Sequence, residues 1–247
     1  MGKIVAIGGG ELRAGETRAI DTRIVELTGK AAPTALFIPT ASGDAADYYE
    51  LSFRPQYGEA LGCPTDVLFL LNHRPSPGEI AAKIEAADLI YVGGGNTLRM
   101  MKLWRRLGVD ALLRRAYERG TVLSGVSAGA ICWFAGGHSD SRAFAAKEGA
   151  AWNYIRVRGL GLVGGLYCPH VDGENRLPKF QQFMRRFSEV GIGCDDCCAL
   201  EIVDDTCRVI TSRAGAKAYR IYRQRDQVTT EVLESGSEHP AAALFNR

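Results

Sequence analysis

Residues 88–107 read DLIYVGGGNTLRMMKLWRRL, and this stretch decides the fold. Its opening part, Asp88–Val92, is an apolar run without polar alternation, as expected for a strand that is covered on both faces. Three glycines end the run, and Leu98–Leu107 then carries apolar residues at helical spacing. A buried strand followed by a helix is half of a βαβ crossover, so the stretch predicts an α/β fold.

The same unit recurs on both sides of this stretch. The sequence predicts further strands at Lys3–Ile7, Thr34–Ile38, Val67–Leu71 and Thr121–Leu123, and helices at Ala19–Leu27, Tyr48–Leu61, Ile80–Ala86 and Val109–Arg119. Short strands with tight turns follow at Cys198–Val203, Cys207–Thr211, Ala218–Tyr222 and Thr229–Leu233. We therefore expect one mainly parallel central sheet flanked by helices, with a short antiparallel C-terminal extension of the same sheet. No linker or repeat interrupts the pattern, so residues 1–247 are predicted to form a single domain.

Composition excludes several classes of partner. The chain has 247 residues, with 30 basic and 28 acidic side chains. This near balance does not indicate binding to nucleic acid or to an anionic membrane. No apolar run approaches the roughly 18 residues that a membrane helix needs. Seven irregularly spaced cysteines, without an apolar leader segment, favour reduced thiols and a cytoplasmic location.

Two apparent cofactor motifs fail on spacing. Gly8–Gly10 would need a glycine at position 13 to bind a dinucleotide, and position 13 is Arg13. Cys194, Cys197 and Cys198 contain one C-x-x-C without a second pair or a nearby histidine, whereas structural zinc needs four ligands. We predict neither a cofactor nor a metal.

The chemistry is predicted to centre on Gly125–Gly129, which reads GVSAG. It follows an apolar strand and precedes a helical run at Ala130–Phe134, which is the context of a nucleophile elbow. Ser127 would stand at the carboxyl end of the sheet, and the Ala128 N–H could bind an oxyanion. A glycine-rich turn with a capping serine is the structural alternative.

A nucleophilic serine needs a base, and an acid to orient that base. Of the four histidines, His170 follows an apolar run at a predicted strand end, where open α/β sheets build their sites. Asp140 and Glu201 are the two candidates for the acid, and the sequence leaves the choice between them open.

The glycines after the strand at Asp88–Val92 supply the other predicted half of the site. Gly93–Thr97 reads GGGNT and lacks the Gly-Lys-Ser/Thr ending of a phosphate-binding loop. Beside a serine elbow, its backbone amides are better read as an oxyanion hole. The alternative is a plain strand-to-helix turn.

These residues together resemble the peptidase E and cyanophycinase family of serine peptidases, especially its bacterial peptidase E-like members. The resemblance runs from the N-terminus to about residue 210. It rests on the segments GGGE at 8–11, LFIPTAS at 36–42, YVGGGNT at 91–97, GVSAGA at 125–130, SDS at 139–141 and PH at 169–170.

The resemblance implies a flavodoxin-like or class I amidotransferase-like fold, a homodimer, and a metal-independent serine peptidase acting on small, acidic, Asp-X type peptides. In family terms Ser127 matches the nucleophile, His170 the base, and Asp140 or Glu201 the third member. Gly94, Gly95 and Ala128 match the oxyanion hole, whereas Asn96, Thr97 and Arg176 match substrate-binding positions. A cyanophycinase-like or carboxypeptidase-like hydrolase and a non-catalytic binding module are the alternatives. An amidotransferase is disfavoured because that chemistry uses cysteine at the elbow.

Overall fold

A computed structural model of the chain describes residues 2–142 and 154–246. Within them, helices and strands form an α/β architecture on two β-sheets. The strands are β1 (Lys3–Ile7), β2 (Ala35–Ile38), β3 (Thr65–Val67), β4 (Leu89–Val92), β5 (Val122–Val126), β6 (Phe134–Ser139), β7 (Ile155–Val157), β8 (Val163–Cys168), β9 (Gly191–Cys194), β10 (Cys198–Val203), β11 (Thr206–Thr211), β12 (Ala218–Gln224), β13 (Gln227–Leu233) and β14 (Glu238–Pro240). The helices are α1 (Arg18–Glu26), α2 (Ala46–Tyr48), α3 (Pro77–Ala86), α4 (Thr97–Leu107), α5 (Val109–Glu118), α6 (Ala128–Ile131), α7 (Leu177–Met184) and α8 (Ala241–Phe245), with a 3₁₀ turn at Thr40–Ser42 and a π helix at Tyr49–Ala60.

The first sheet is mixed. Its order is β14-β11-β10-β1-β5-β4-β2-β3. The five strands from β1 to β3 in this order pair in parallel, and β10, β11 and β14 add antiparallel strands beyond β1. The α/β class is thus confirmed, whereas the mainly parallel character holds only for the half of the sheet that begins at β1.

The second sheet departs from the prediction. Its order is β13-β12-β9-β8-β6-β7, with parallel pairs only among β6, β8 and β9. The predicted extension of a single sheet is therefore correct for β10 and β11 and wrong for β12 and β13, which join the second sheet. Its inner strands read FAGGHS, VGGLYC and GIGC, and this glycine content hides them from a reading based on β-branched residues.

The first sheet is covered on both faces. On β1, Val5 and Ile7 pack with α1 and the π helix, while Ile4 and Ala6 face the core shared with α3, α4 and α5. On the second sheet, α7 packs over β8 and β12. Because both faces of β2 and β4 are buried, apolar residues occupy every position of these two strands, which explains the missing alternation in their sequence.

One buried cluster contains residues of both sheets, from Ile4 on β1 to Leu233 on β13. This shared core supports the single domain expected over residues 1–247, which stays a prediction. Across the described ranges, every helix is too short or too polar to cross a membrane.

Candidate active site

The end of β1 fixes two distant segments side by side. The Ser127 N–H donates to the Ile7 carbonyl at 3.1 Å, and the His170 N–H donates to the Gly8 carbonyl at 3.2 Å. Ser127 directly follows β5, and His170 follows β8 after one proline. Two consecutive peptide units of β1 therefore hold the predicted nucleophile and the predicted base at strand ends.

The next residue, Gly9, adds a third segment. It forms a parallel bridge with Asp196, and its carbonyl accepts the Cys197 N–H at 2.9 Å. A Cβ on Gly9 would fall 1.8 Å from Asp196 Oδ1 and 2.4 Å from His170 Nδ1. Only glycine leaves room here, so the backbone of Gly9 passes directly under a contact between an imidazole and a carboxylate.

Ser127 occupies a strained turn. Its φ of 55° and ψ of −109° lie where L-residues are rarely found, and such strain persists only when the surroundings impose it. The turn is tight because Gly129 packs against β4, where a Cβ would lie 2.0 Å from the Val92 carbonyl oxygen. The result is the sharp strand-to-helix elbow that the sequence predicted.

His170 and Asp196 form a hydrogen-bonded pair. The His170 Nδ1–H donates to Asp196 Oδ1 at 2.7 Å, and the two side chains are 22% and 26% exposed. This hydrogen bond lowers the pKa of Asp196, so the carboxylate is ionised at neutral pH. An ionised carboxylate only accepts, which places the proton on Nδ1 and leaves the Nε2 lone pair free to take up a proton.

A pattern of exposure singles out the same three residues. Ser127 is the one partly exposed residue between Thr121 and Phe134. His170 is the one partly exposed residue between Leu166 and Val171, and Asp196 is the one partly exposed residue between Val190 and Ile202. Three otherwise buried segments thus each open to solvent at one polar residue, and the three consecutive residues Ile7, Gly8 and Gly9 hold them.

The acid beside the histidine differs from both predicted candidates. Glu201 lies on β10 and accepts hydrogen bonds from Arg23 Nε at 2.7 Å and Nη2 at 3.2 Å. Asp140 follows β6 and lies 3.5 Å from Arg176 Nη2. The structure pairs both carboxylates with arginines instead of with the imidazole. The missed signal was the position of Asp196 two residues after the buried strand β9, between Cys194 and Cys197.

The predicted oxyanion residues surround the serine. A Cβ on Gly94 would lie 3.5 Å from the Ser127 Cβ, Gly95 follows with φ +132°, and Ala128 is the first residue of α6. Because Ala128 is the first residue of the helix, its N–H has no carbonyl acceptor within the helix. Tyr48 packs against this loop, since a Cβ on Gly93 would lie 2.8 Å from its Cε1. Burial, opposed by the nearby Gly94 amide, raises the pKa of Tyr48 to about 12. Sequence reasoning did not single out Tyr48, and no motif marks it.

Asn96 and Thr97 start α4 beside these glycines. The Asn96 side chain accepts the Arg99 N–H at 3.0 Å as a helix cap and donates to the Ser141 carbonyl at 3.2 Å. Thr97 is buried, and its hydroxyl accepts a hydrogen bond from Ser139 at 3.3 Å. Of the two, only Asn96 is open enough to meet a substrate.

Arg176, the predicted substrate arginine, lies inside the protein. It is 2% exposed and forms an ion pair with Glu174 at 2.5 Å, in addition to facing Asp140. Its guanidinium also lies 4.9 Å from the ring centre of Tyr154. Two carboxylates therefore already occupy the fork that the prediction offered to a substrate.

His138 lies beneath this arginine. It is one of the four histidines of the chain, and it lies on β6, fully buried. Burial, helped by the positive charge of Arg176, lowers the pKa of His138 to about 3. The ring is therefore neutral at physiological pH and stacks on Tyr154 at a centroid distance of 4.2 Å.

The cysteines and acids do not assemble into a metal site in the described residues. Among residues 2–142 and 154–246, no group of three or more His, Cys, Asp or Glu side chains is placed to hold a metal ion. The seven cysteines all lie in these ranges, and each is free and buried.

Comparisons with known proteins point to one family. The sequence model of Peptidase family S51 matches residues 4–210. The chain is 34% identical to the uncharacterized peptidase YgaJ of Bacillus subtilis over 232 residues, which cover 92% of this chain and 95% of that protein. It is 36% identical to the uncharacterized peptidase Lmo0363 of Listeria monocytogenes over 102 residues, 40% of this chain and 47% of that one. The crystal structure of a peptidase from an acI-B1 actinobacterium superposes with a TM-score of 0.72 at 19% identity and covers 97% of both chains, which shows the shared fold.

Proposed function

The chain belongs to peptidase family S51 and is a peptidase, and from that premise we propose that it hydrolyses small acidic peptides with Ser127 as nucleophile. His170 acts as the base, and Asp196 orients it. The observation that carries this proposal is the exposure pattern, in which three buried segments each open at one of these residues beside Gly8 and Gly9.

Each residue has a stated task in the proposed reaction. His170 Nε2 takes the Ser127 proton as Oγ bonds to the substrate carbonyl carbon, and Asp196 stabilises the imidazolium through the Nδ1–H bond. The Gly94 and Ala128 amides hold the oxyanion. His170 then protonates the leaving amine, and the C–N bond breaks. Water, deprotonated by His170, finally hydrolyses the acyl-enzyme and restores Ser127.

Tyr48 gives this oxyanion hole a particular property. Its pKa of about 12 keeps the hydroxyl protonated at neutral pH, so it can donate a hydrogen bond as well as accept one. When an oxyanion binds the Gly94 N–H, the nearby Tyr48 hydroxyl can turn and donate to the same negative charge.

Preference for acidic peptides is part of the proposal and rests on the resemblance to peptidase E. The homodimer implied by the resemblance and the cytoplasmic location expected from the sequence are also part of the proposal.

A substrate panel tests the proposal. Native protein should hydrolyse at least one of the Asp-X, Glu-X and β-linked dipeptides, and hydrolysis of β-linked members alone would place the activity with the cyanophycinase-like alternative. Ser127→Ala should reduce kcat by a factor on the order of 10⁴ or more. Thermal unfolding serves as the control, because removing one partly exposed hydroxyl should leave the fold intact. Turnover that survives the substitution would contradict the proposal.

A further inference from the structure

A groove along α4 opens beside the candidate oxyanion loop. It has a volume of about 670 Å³. Leu71, Leu98 and Leu103 form its apolar floor, and Asn96 and Ser141 close one end. This volume is within the range of small-molecule sites, which are largely apolar with a few placed polar groups.

The rim of the groove is entirely basic. Arg99, Lys102, Arg106 and Arg142 line it, and no aspartate or glutamate does so among the described residues. These four side chains are exposed, and none belongs to an ion pair with another residue of the described ranges. In a chain whose net charge is only +2, such a concentration of uncompensated charge is a local feature.

A second basic hollow, beside α5, contains arginines that bind other parts of the same chain. There, Arg105 donates to the Arg158 carbonyl at 2.8 Å, and Arg114 donates to the Leu160 carbonyl at 2.7 Å. Asp110 lines the same hollow and offsets part of its charge. Arg105 and Arg114 therefore hold the chain together, whereas no cation of the α4 groove donates a side-chain hydrogen bond to another residue within 2–142 and 154–246.

The groove begins close to the proposed reaction centre. Asn96 lines the groove and is two residues from Gly94, and two residues span at most about 7 Å. Arg99 reaches the turn at Thr40–Ser42, which packs against Gly95, because a Cβ on Gly43 would lie 3.7 Å from its Nη1. A peptide held at Ser127 can therefore extend into the groove.

We propose that this groove binds the acidic side chains of the peptide substrate, so that selection of acidic peptides rests on α4 and not on Arg176. This assignment depends on the proposed peptidase site at Ser127. Arg176 is buried with two carboxylates, and the groove offers uncompensated cations.

The spacing of the cations sets the length of the ligand. Arg99, Lys102 and Arg106 stand at i, i+3 and i+7, which is one face of a helix. At a rise of 1.5 Å per residue, the three span about 10 Å. Three residues of an extended peptide cover about the same length. A peptide with several carboxylates fits this row better than a single aspartate does.

Binding of tri-aspartate and tri-asparagine to the Ser127→Ala protein tests the groove by calorimetry. We expect tri-aspartate to bind about tenfold more tightly at low ionic strength, with the difference shrinking as salt screens the exposed charges. Lys102→Gln and Arg106→Gln should each weaken tri-aspartate binding roughly threefold to fivefold, in line with exposed charge pairs. Neither substitution should change tri-asparagine binding.

Arg115→Gln is the matched control, because Arg115 is an exposed arginine on α5 and lines the other hollow. Equal binding of the two peptides, or equal losses in the control and groove variants, would overturn the groove assignment. Arg142→Gln provides a further groove variant outside α4, in case a helix substitution lowers stability.

This readout separates the two proposals because it needs no turnover. Charge-selective binding in the Ser127→Ala protein, with native protein inactive on every peptide, would sink the peptidase mechanism and support the groove. Turnover by native protein without charge-selective binding would sink the groove and support the mechanism.

Discussion

Two polar clusters lie close together in the chain and behave in opposite ways. His170 and Asp196 form a pair that is about a quarter exposed at strand ends, next to a serine with a strained backbone. Arg176, a few residues further on, is 2% exposed and engaged by Glu174 and Asp140. The first cluster leaves one nitrogen of the imidazole unused, and the second leaves its arginine fully occupied.

The comparison shows how polar residues that can contact a substrate differ from polar residues that hold the structure together. A buried arginine with two carboxylates holds loops together, and breaking it leaves charges without partners. A polar residue that interrupts an otherwise buried segment at a strand end offers a group to a substrate. Asp196 interrupts a buried segment in this way, whereas Asp140 faces the buried Arg176 and Glu201 pairs with Arg23.

The largest expected effect separates Asp196 from the two predicted acids. Asp196→Asn should reduce kcat by about 10⁴-fold, because the amide favours the wrong imidazole tautomer and cannot stabilise the imidazolium. Steady-state hydrolysis of the best dipeptide measures the effect.

Asp140→Asn and Glu201→Gln are the matched controls for this substitution. Both should lower stability through their arginine partners and leave kcat within about tenfold of the native value. A Glu201 or Asp140 variant as inactive as Asp196→Asn, with Asp196→Asn active, would invert the comparison.

Arg176→Gln should break the second cluster. It leaves Asp140 and Glu174 without their cation in a largely buried place, and such losses cost about 3 kcal/mol of unfolding free energy. Urea denaturation measures the change. Adding Asp140→Asn and Glu174→Gln removes the unpaired charges and should recover part of the loss. A stable Arg176→Gln protein with a raised KM for acidic peptides alone would show instead that Arg176 contacts substrate.

Asp21 extends the comparison to a buried carboxylate held by neutral donors. Thr17, Gln56 and Tyr57 donate to it, and burial raises its pKa from 3.8 to about 6 despite these hydrogen bonds. Between these pH values the folded state binds more protons than the unfolded state, so stability falls as pH rises, by about 3 kcal/mol.

Asp21→Asn should remove this pH dependence. Unfolding free energies of native and variant protein, measured between pH 4 and pH 7, give the two slopes directly. The same fall in both proteins would show that another group is responsible.

The smallest predicted effect probes the glycine turn itself. Gly9→Ala would place a methyl group 1.8 Å from Asp196 Oδ1, and displacing this pair by about an ångström should lower kcat roughly a hundredfold. Gly15→Ala is the control, since its Cβ meets nothing within 4 Å and its φ of +71° adds only backbone strain. Equal activities for both variants would show that the Gly9 contact does not position the pair.

Much of the first sheet could be predicted, because its signals are local. Continuous apolar runs such as Leu89–Val92, ended by glycines and followed by helical spacing, identify parallel strands without tertiary information. The second sheet could not be predicted in the same way. Its inner strands β6, β8 and β9 are rich in glycine, and their pairing depends on contacts between distant segments.

The candidate site likewise has residues that local sequence predicts and residues that depend on the assembled fold. Ser127 sits in a motif whose spacing encodes its own turn, and His170 follows an apolar run, so both were accessible as candidates. The choice of acid depends on which carboxylate the fold brings to Gly9, and no local pattern distinguishes Asp196 from Asp140 or Glu201. Burial decides the role of Arg176, and burial of a single arginine is a property of the assembled structure.

Labelling of Ser127 by a serine-reactive phosphonate tests the central claim most directly. The account predicts a stoichiometric adduct on Ser127 in folded native protein, located by peptide mass spectrometry, and much slower labelling of His170→Ala and Asp196→Asn. An unreactive Ser127 in native protein, or labelling at the same rate in all three proteins, would contradict it.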